Sequence, residues 1–394
     1  MADQLKFPTD QFDYRVLDPI SGSAPTEAIG LYSDGKPSRA LLLAGGSGVR
    51  LQPLTNCRNK HMIPIANQPM IFYALSNLAR AGVQEVGVIL GPHHDELVAA
   101  VGGGSDFGLE VTYIHQGDPR GLAHAVACGQ EFLGEQPFVM YLGDNLFQEG
   151  VEPLIELYQS ARPDAAIAVV PVSEPRHYGV VELDRGQIVS IEEKPMEPRS
   201  NLAVVGAYLF TPSIHGTIAD LEPSARGELE ITDALRFLHR AGQRIAVHQV
   251  RGWWKDAGRP ADLLYANDEI LKMMPTSAFQ RLGHIDASAR VTGHVGVGEG
   301  SVVGSGSLVD GPTVIGRDAR ILGSAKVGSF CAVGDSCHVD GAELDRTIVM
   351  EGASISGPVR IANSVIGRNA RITARTPVAE TISVILGDSS SIEL

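Results

Sequence analysis

Residues 285–339 read IDASAR VTGHVG VGEGSV VGSGSL VDGPTV IGRDAR ILGSAK VGSFCA VGDSCH V when broken every six positions. The first column is Ile285, Val291, Val297, Val303, Val309, Ile315, Ile321, Val327, Val333 and Val339, all β-branched. A period of six belongs neither to an α-helix nor to a simple alternating strand. It matches a hexapeptide parallel β-helix, in which short strands turn corners and one aliphatic per hexad points inward. Gly298, Gly304, Gly316, Gly328 and Gly334 follow the aliphatic directly, and small residues at corners permit unusual backbone angles. The phase slips after Val339, resumes at Val349, Ile355 and Ile361, and slips again to Ile366, Ile372, Val378 and Val384. These slips read as inserted loops or a change of face. A sandwich with coincidental spacing is the competing reading, and ten in-phase positions weigh against it.

The aromatic residues stop where the repeat begins. All nine Tyr and both Trp lie at or before Tyr265, and only Phe330 follows Phe279. An ordinary core seldom does without large rings for so long, so we place a boundary near residue 282. Residues 281–394 are then the β-helix domain with its tail. Within 39–280, apolar runs at Ala40–Leu43, Val86–Leu90, Val111–Ile114, Phe138–Leu142 and Ala165–Val172 read as buried strands. Helical stretches at Met70–Ala81, Asp95–Val101, Leu122–Phe132 and Val151–Ala161 alternate with them. That alternation predicts an α/β fold with a mainly parallel, Rossmann-like sheet, whose ligand site lies at the carboxyl ends of the strands. Residues 1–38, with Pro8, Pro19, Pro25 and Pro37 and no clear period, read as an N-terminal extension.

Composition narrows the function. The 394 residues carry 46 acids against 32 bases, which argues against a nucleic-acid partner. An anionic small substrate stays open, because a few local cations can override the net sign. No apolar run approaches the length of a membrane span, and the amino-terminal stretch has no apolar signal core. Cys57, Cys128, Cys331 and Cys337 are dispersed without C-x-x-C, which fits a reducing cytoplasm rather than a disulfide or zinc scaffold.

The first strand runs into Leu43-Ala44-Gly45-Gly46-Ser47-Gly48-Val49-Arg50-Leu51. Three glycines let the main chain approach a ligand and offer its N–H groups to anionic oxygens. Arg50 adds a bidentate cation and Lys60 a point charge. The stretch is neither a Walker A loop nor a Rossmann fingerprint, which would require Gly at Leu51. Alone, it reads equally well as a tight turn. Asp144 follows the apolar run Phe138–Leu142, and Asp256 follows Ile245–Val250. By spacing alone either could be a turn or surface acid, and Glu193-Lys194 a solvated strand end.

The stretch LAGGSGVRLQPLT, followed by NKHMIPIANQPM, resembles the sugar-nucleotide pyrophosphorylases, which are nucleotidyltransferases acting on sugar 1-phosphates. QGDPRGLAHAV, YLGDN, HYGVVELD, EEKPMEPRSNLAVVGAYLF, PSARGELEITDAL and WWKDAG agree in order over residues 39–270. Within that group the sequence is most similar to glucose-1-phosphate thymidylyltransferases of the long form, with a C-terminal hexapeptide β-helix. The closing VILGDSSSIEL fits as well. The resemblance implies a GT-A-like nucleotidyltransferase domain followed by a left-handed β-helix.

For chemistry, the resemblance implies transfer of a nucleotidyl group from dTTP to glucose 1-phosphate, with Mg²⁺ held by Asp144 and Asp256. Leu43, Ala44, Gly45, Gly46 and Gly48 would bind the nucleotide, with Gln116 and Gly121 reading its base. Tyr178, Gly179, Glu193, Lys194 and Val204 would bind the sugar phosphate. Arg50, Lys60 and Lys194 would supply the catalytic cations. A hard cation is physically reasonable here, because attack by one anion on a triphosphate is opposed by charge repulsion. Three departures concern the substrate more than the reaction: Val49 replaces the usual Thr, His61 a common Gln, and Arg259 a frequent Thr. The alternatives are UTP or GTP with another sugar or cyclitol phosphate, an added acetyltransferase using His294 or His338 as base, or a non-catalytic nucleotide-sugar binder. Flat coil faces and open coil ends further imply a homo-oligomer.

Overall fold

The computed structural model describes residues 36–394; most of the expected extension, residues 1–35, lies outside them. β1 (Arg39–Ala44), β2 (Glu85–Leu90), β3 (Glu110–His115) and β4 (Phe138–Leu142) form the parallel half of a nine-stranded sheet, in the order β4-β1-β2-β3. Between them run α1 (Met70–Arg80), α2 (Asp95–Val101), α3 (Leu122–Cys128) and α4 (Gln130–Leu133). The single helix expected over Leu122–Phe132 is interrupted at Gly129, which caps one helix and opens the next.

Alternation along β1 separates two apolar layers. Leu42 packs with α1 and with α5 (Glu152–Ala161), while Leu41 and Leu43 pack with α3 and α7 (Ile231–Arg240). Successive strand residues face opposite sides, so one short apolar run serves both.

The expected parallel, Rossmann-like arrangement holds for β1 to β4, and the rest of the sheet departs from it. After β5 (Asn145–Phe147) and β6 (Ala165–Pro171), the chain forms a hairpin of β7 (Gly179–Asp184) and β8 (Gln187–Glu193) and returns along β9 (Leu202–Phe210). β9 is antiparallel to β4, β6 and β7, and only β10 (Ile245–Gln249) restores a parallel pairing, with β6. The sheet is therefore mixed, because a hairpin rather than a helical crossover joins β7 to β8. α6 (Ser213–Ala219) and α7 cover this half. β11 (Trp254–Asp256) pairs antiparallel with β5, and α8 (Pro260–Met273) follows.

From His284 onward the strands are two to seven residues long and pair only in parallel. Val303 pairs with Ile321, Val309 with Val327 and Ile315 with Val333, eighteen residues on in each case. Three hexads thus complete one turn, a connectivity compatible with a parallel β-helix. The hexad aliphatics from Val297 to Val339 are at most 3% exposed and fill the interior.

Two details differ from the sequence reading. The glycines after the aliphatic are not the corners. Positive φ falls two residues later, at Gly300, Gly306, Asp318, Ser324, Phe330 and Ser336. Gly298 and Gly316 are small because the neighbouring coil lies against them; a Cβ on Gly298 would sit 2.3 Å from the Gly316 carbonyl oxygen. The first phase slip, moreover, is a shortening and not an insertion. Val333 pairs with Val349, sixteen residues on, and Leu344 takes the buried position between Val339 and Val349. The second slip does add residues: Ile366 pairs with Leu386, twenty on.

α8 joins the two parts. Its Leu263, Leu264, Ile270 and Leu271 share an apolar cluster with Val314, Ala332, Ile348 and Val365 of the coils. The buried Asn267 accepts from the Ala66 N–H (2.9 Å) and donates to the Phe330 carbonyl (3.0 Å). Among the described residues no helix is long and apolar enough to cross a membrane.

Candidate active site

The parallel register sets the first half of the site. Leu43 lies beside Leu142, and Ala44 beside Leu90, itself beside His115. Gly45, Gly91, Gln116 and Asp144 therefore all leave the same edge of the sheet, close to the carboxyl ends of adjacent strands, where ligands of such sheets bind. Leu43 and Ala44 are buried, and their carbonyls accept from the Gly143 N–H (3.0 Å) and from Asn59 Nδ2 (3.3 Å). They hold the loop to its neighbours. Gly45 passes so close to Gly91 that a Cβ on the latter would lie 2.2 Å from the Gly45 oxygen. Gly48, with φ of 67°, turns the chain into a short 3-10 helix, Val49–Leu51. That turn sends Arg50 outward and buries Leu51.

Gln116 borders Gly45 and donates from Nε2 to the Gly121 carbonyl at 3.4 Å. His124 Nδ1 lies 3.2 Å from the same nitrogen. Gly121 has φ of 102°, and a Cβ there would meet the Leu229 carbonyl oxygen at 2.4 Å. Both strain and collision oppose any side chain. Gly121→Ala is expected to destabilise the fold by about 2 kcal/mol or more and to raise the KM for nucleotide. Thermal denaturation and initial rates over a nucleotide series check both.

Asp144 and Asp256 come together. β11 pairs with β5 so that Asp256 is opposite Asn145, and the Ala257 N–H donates to the Asp144 carbonyl at 2.9 Å. Lys60 makes a short ion pair with Asp144, and Arg50 lies 3.7 Å from Asp256. The two carboxyls titrate in opposite directions. Burial raises the Asp144 pKa, but Lys60 and the hydrogen bonds from Lys60 and Asn145 outweigh it and hold the group well below the usual range. Burial and the Asp144 charge push Asp256 up to about 6, against the opposing pull of Lys60 and Arg50. His61 is buried, with its pKa lowered to about 3 by burial and by Lys60. It bonds Asn59 at 2.7 Å and serves as a neutral packing group.

Beside these acids is a cavity of about 230 Å³. Tyr178, Gly179, Glu193, Lys194 and Val204 all line it, and Asp256 closes one side. The β7–β8 hairpin sets Gly179 opposite Glu193, and Lys194 turns away from the strand with φ of 43°. The Lys194 ammonium is 3.5 Å from Glu193, which also receives Arg226 at 3.2 Å. Gly179 is small because a Cβ would meet Thr232 Oγ1 at 2.5 Å.

Asn145 escaped the sequence reading, and the Arg226–Glu230 stretch, expected to shape the sugar pocket or a helix start, had no assigned chemistry. Asn145 donates to Asp144 and accepts from the Trp254 indole (2.8 Å) and the Gly206 N–H (3.3 Å), so it ties the two acids to β9. Its place directly after Asp144 was the available signal. Glu230 is buried at the start of α7 and holds Arg226 at 2.6 Å, which gives the ARGELE stretch its place in the pocket. His294 stacks on Phe279, and His338 lies 4.0 Å from Asp340. Neither lines this cavity.

Residues 39–273 match the family described as Nucleotidyl transferase, and residues 309–393 match the GMPPB C-terminal domain. The chain belongs to the nucleotidyl transferase family, and it is an enzyme of that class. Among its relatives, the glucose-1-phosphate thymidylyltransferase of Streptomyces griseus is 45% identical over 357 residues, covering 90% of this chain and 99% of that protein. That of Streptomyces antibioticus is 42% identical with the same coverage. The low-salt glycan biosynthesis nucleotidyltransferase Agl11 of Haloferax volcanii is 40% identical over 90% of this chain and all of its own length. A solved UDP-glucose pyrophosphorylase complexed with UDP-glucose superposes with a TM-score of 0.54 at 28% identity, over 60% of this chain and 99% of that one.

Proposed function

We propose that the protein transfers a thymidylyl group from dTTP to glucose 1-phosphate, giving a nucleotide sugar and pyrophosphate. A phosphate oxygen of the sugar 1-phosphate attacks the α-phosphorus. A new P–O bond forms as the bond to the β-phosphate breaks, and pyrophosphate carries away the displaced electron pair. The observation that carries this reading is one cleft holding the glycine turn with Arg50 and Lys60, the Asp144–Asp256 pair, and the cavity of Glu193 and Lys194. No protein nucleophile is required, so positioning and charge neutralisation supply the catalysis.

Main-chain N–H groups around Gly45, Gly46 and Gly48 and the Arg50 guanidinium cradle the triphosphate and steady the departing pyrophosphate. Lys60 assists from beside Asp144. Lys194 holds the attacking phosphate, and Glu193 and the Gly179 main chain orient sugar hydroxyls. Gln116 and the backbone near Gly121 read the pyrimidine edge.

Two adjacent carboxylates fit Mg²⁺, which takes one or two carboxylates together with phosphate oxygens and water. The Asp256 carboxyl, raised by burial first and by the Asp144 charge second, stands beside a second acid at the cleft. Among the described residues no cluster of three or more such ligands occurs. Bound there, Mg²⁺ would offset phosphate charge during the displacement.

Residues 39–280 form the catalytic domain in this reading, and residues 281–394 a left-handed β-helix of a cytoplasmic homo-oligomer. Pyrophosphate release measured over dTTP, UTP and GTP against a panel of sugar and cyclitol 1-phosphates tests the assignment. The largest kcat/KM is expected for dTTP with glucose 1-phosphate. Release from another pair alone would reassign the substrates, and release from none would overturn the reaction.

A further inference from the structure

The loop that carries Arg50 and Lys60 is gripped from the far end of the chain. Residues 52–59 connect two short 3-10 turns, Val49–Leu51 and Lys60–Met62. Arg58 points away from the cleft, toward the coils, and its side chain is only 2% exposed. Its guanidinium lies 3.0 Å from the Asp388 carboxylate in the last coil and 3.5 Å from Glu96 on α2. Asp388 is itself fixed by the Arg368 N–H at 2.8 Å, and Arg368 also reaches Glu96. At the other end of the loop, Gly387 lies against Pro53, where a Cβ would come within 3.0 Å of the Pro53 carbonyl oxygen. Leu51 and Leu54 share an apolar cluster with Met350 and Ile385 of the coils.

Arg58, Asn59 and Lys60 thus point three ways. Arg58 enters the coils, Asn59 bonds the Ala44 and Pro92 carbonyls, and Lys60 reaches Asp144. A buried arginine cannot leave its counter-charge cheaply, since removing one partner strands the other without water. The last coil therefore fixes the loop's height above the sheet, and with it the Lys60 ammonium.

We propose that the last coil, through Asp388 and Gly387, is a positioning element for this reaction: it sets the loop that bears Arg50 and Lys60. The proposal rests on the roles given to those two residues above, and it assigns the coils a duty within one subunit rather than only between subunits.

The test compares Asp388→Asn, Asp388→Glu, Gly387→Ala and Lys60→Ala in the full chain, with Arg375→Ala as reference. Arg375 pairs with Glu393 on the exposed rim of the stack. Steady-state pyrophosphate release and thermal denaturation are read for each. Asp388→Asn should lower kcat roughly ten- to a hundredfold while the KM for sugar phosphate stays near wild type, because a small displacement of a charged group is enough for such a loss. Asp388→Glu should recover much of it. Gly387→Ala leaves every charge in place and pushes on Pro53, so it should lower kcat with little change in melting, and it stands in if Asp388→Asn does not fold. Arg375→Ala should match wild type.

Wild-type kcat in a folded Asp388→Asn or Gly387→Ala protein, beside an inactive Lys60→Ala, would overturn the positioning role. So would losses that merely track the unfolded fraction. Wild-type turnover in Lys60→Ala would instead overturn the role given to Lys60.

Discussion

Arg50→Ala is expected to lower kcat by roughly 10²- to 10³-fold, the loss seen when a preorganised donor to developing charge is removed, with little change in the KM for sugar phosphate. Arg50 sits on the outward side of the glycine turn, 3.7 Å from Asp256, with its side chain 60% exposed to the cleft. It packs against Gly258, where even a Cβ would come within 2.6 Å of Nη2, so its approach is fixed although its tip is open. It stands on the acid side of the cleft and is absent from the lining of the Glu193–Lys194 cavity. A kcat effect without a matching acceptor-KM effect follows from that separation. Arg50→Lys should fall between, since an ammonium keeps the charge and loses the planar fork. Pre-steady-state release of pyrophosphate measures the step directly. Turnover near wild type in Arg50→Ala would remove this residue from the mechanism.

Asp256→Asn should have two opposed effects. Turnover should fall by roughly 10²-fold or more, because the proposed role of this residue is to balance charge during phosphoryl transfer. The metal-free protein should become more stable, by on the order of 1–3 kcal/mol above pH 6. The sign follows from the titration. In the fold this carboxyl titrates at about 6, against an ordinary 3.8. Between those values the folded protein holds a proton that the unfolded chain has released, so wild-type stability declines as pH rises through the window. The Asn variant shows no such decline. Its melting temperature, taken with chelator present, should match wild type near pH 4 and exceed it above pH 6. A constant gap across pH, or a destabilised variant, would contradict the raised pKa. Such a residue is held in the cleft at a cost to the fold, as functional groups commonly are.

Much of this was legible in the sequence because periodicity reports burial. The six-residue column from Ile285 to Val339 specified the coils, and the apolar runs ending at Ala44 and Leu142 specified two adjacent strands that deliver the glycine turn and Asp144. What the sequence hid depends on contacts made late in the chain. The β7–β8 hairpin turned half the sheet antiparallel, because the run from Gly179 to Glu193 is too polar to announce itself as buried strands. The left-handed corners were invisible, since Asp318, Ser324 and Phe330 carry no common side-chain signature. Asn145 carried no signal of its own, and Glu230, in a stretch read as shaping the sugar pocket or a helix start, carried no assigned chemistry. Their weight comes from being buried with several partners each, and burial of a single polar residue leaves no period to read.

With the proposed site roles, the mixed sheet also sorts the two reactants. Residues read as handling the triphosphate, at Gly45, Gly48, Gln116 and Asp144, leave parallel strands. Those read as handling the acceptor, at Gly179, Glu193 and Val204, belong to the antiparallel hairpin and β9. The seam between β4 and β9 is therefore a line along which specificities could be recombined. Grafting the segment 178–210, hairpin and β9 together, from a relative with a different acceptor is expected to retune one substrate while leaving the donor preference in place.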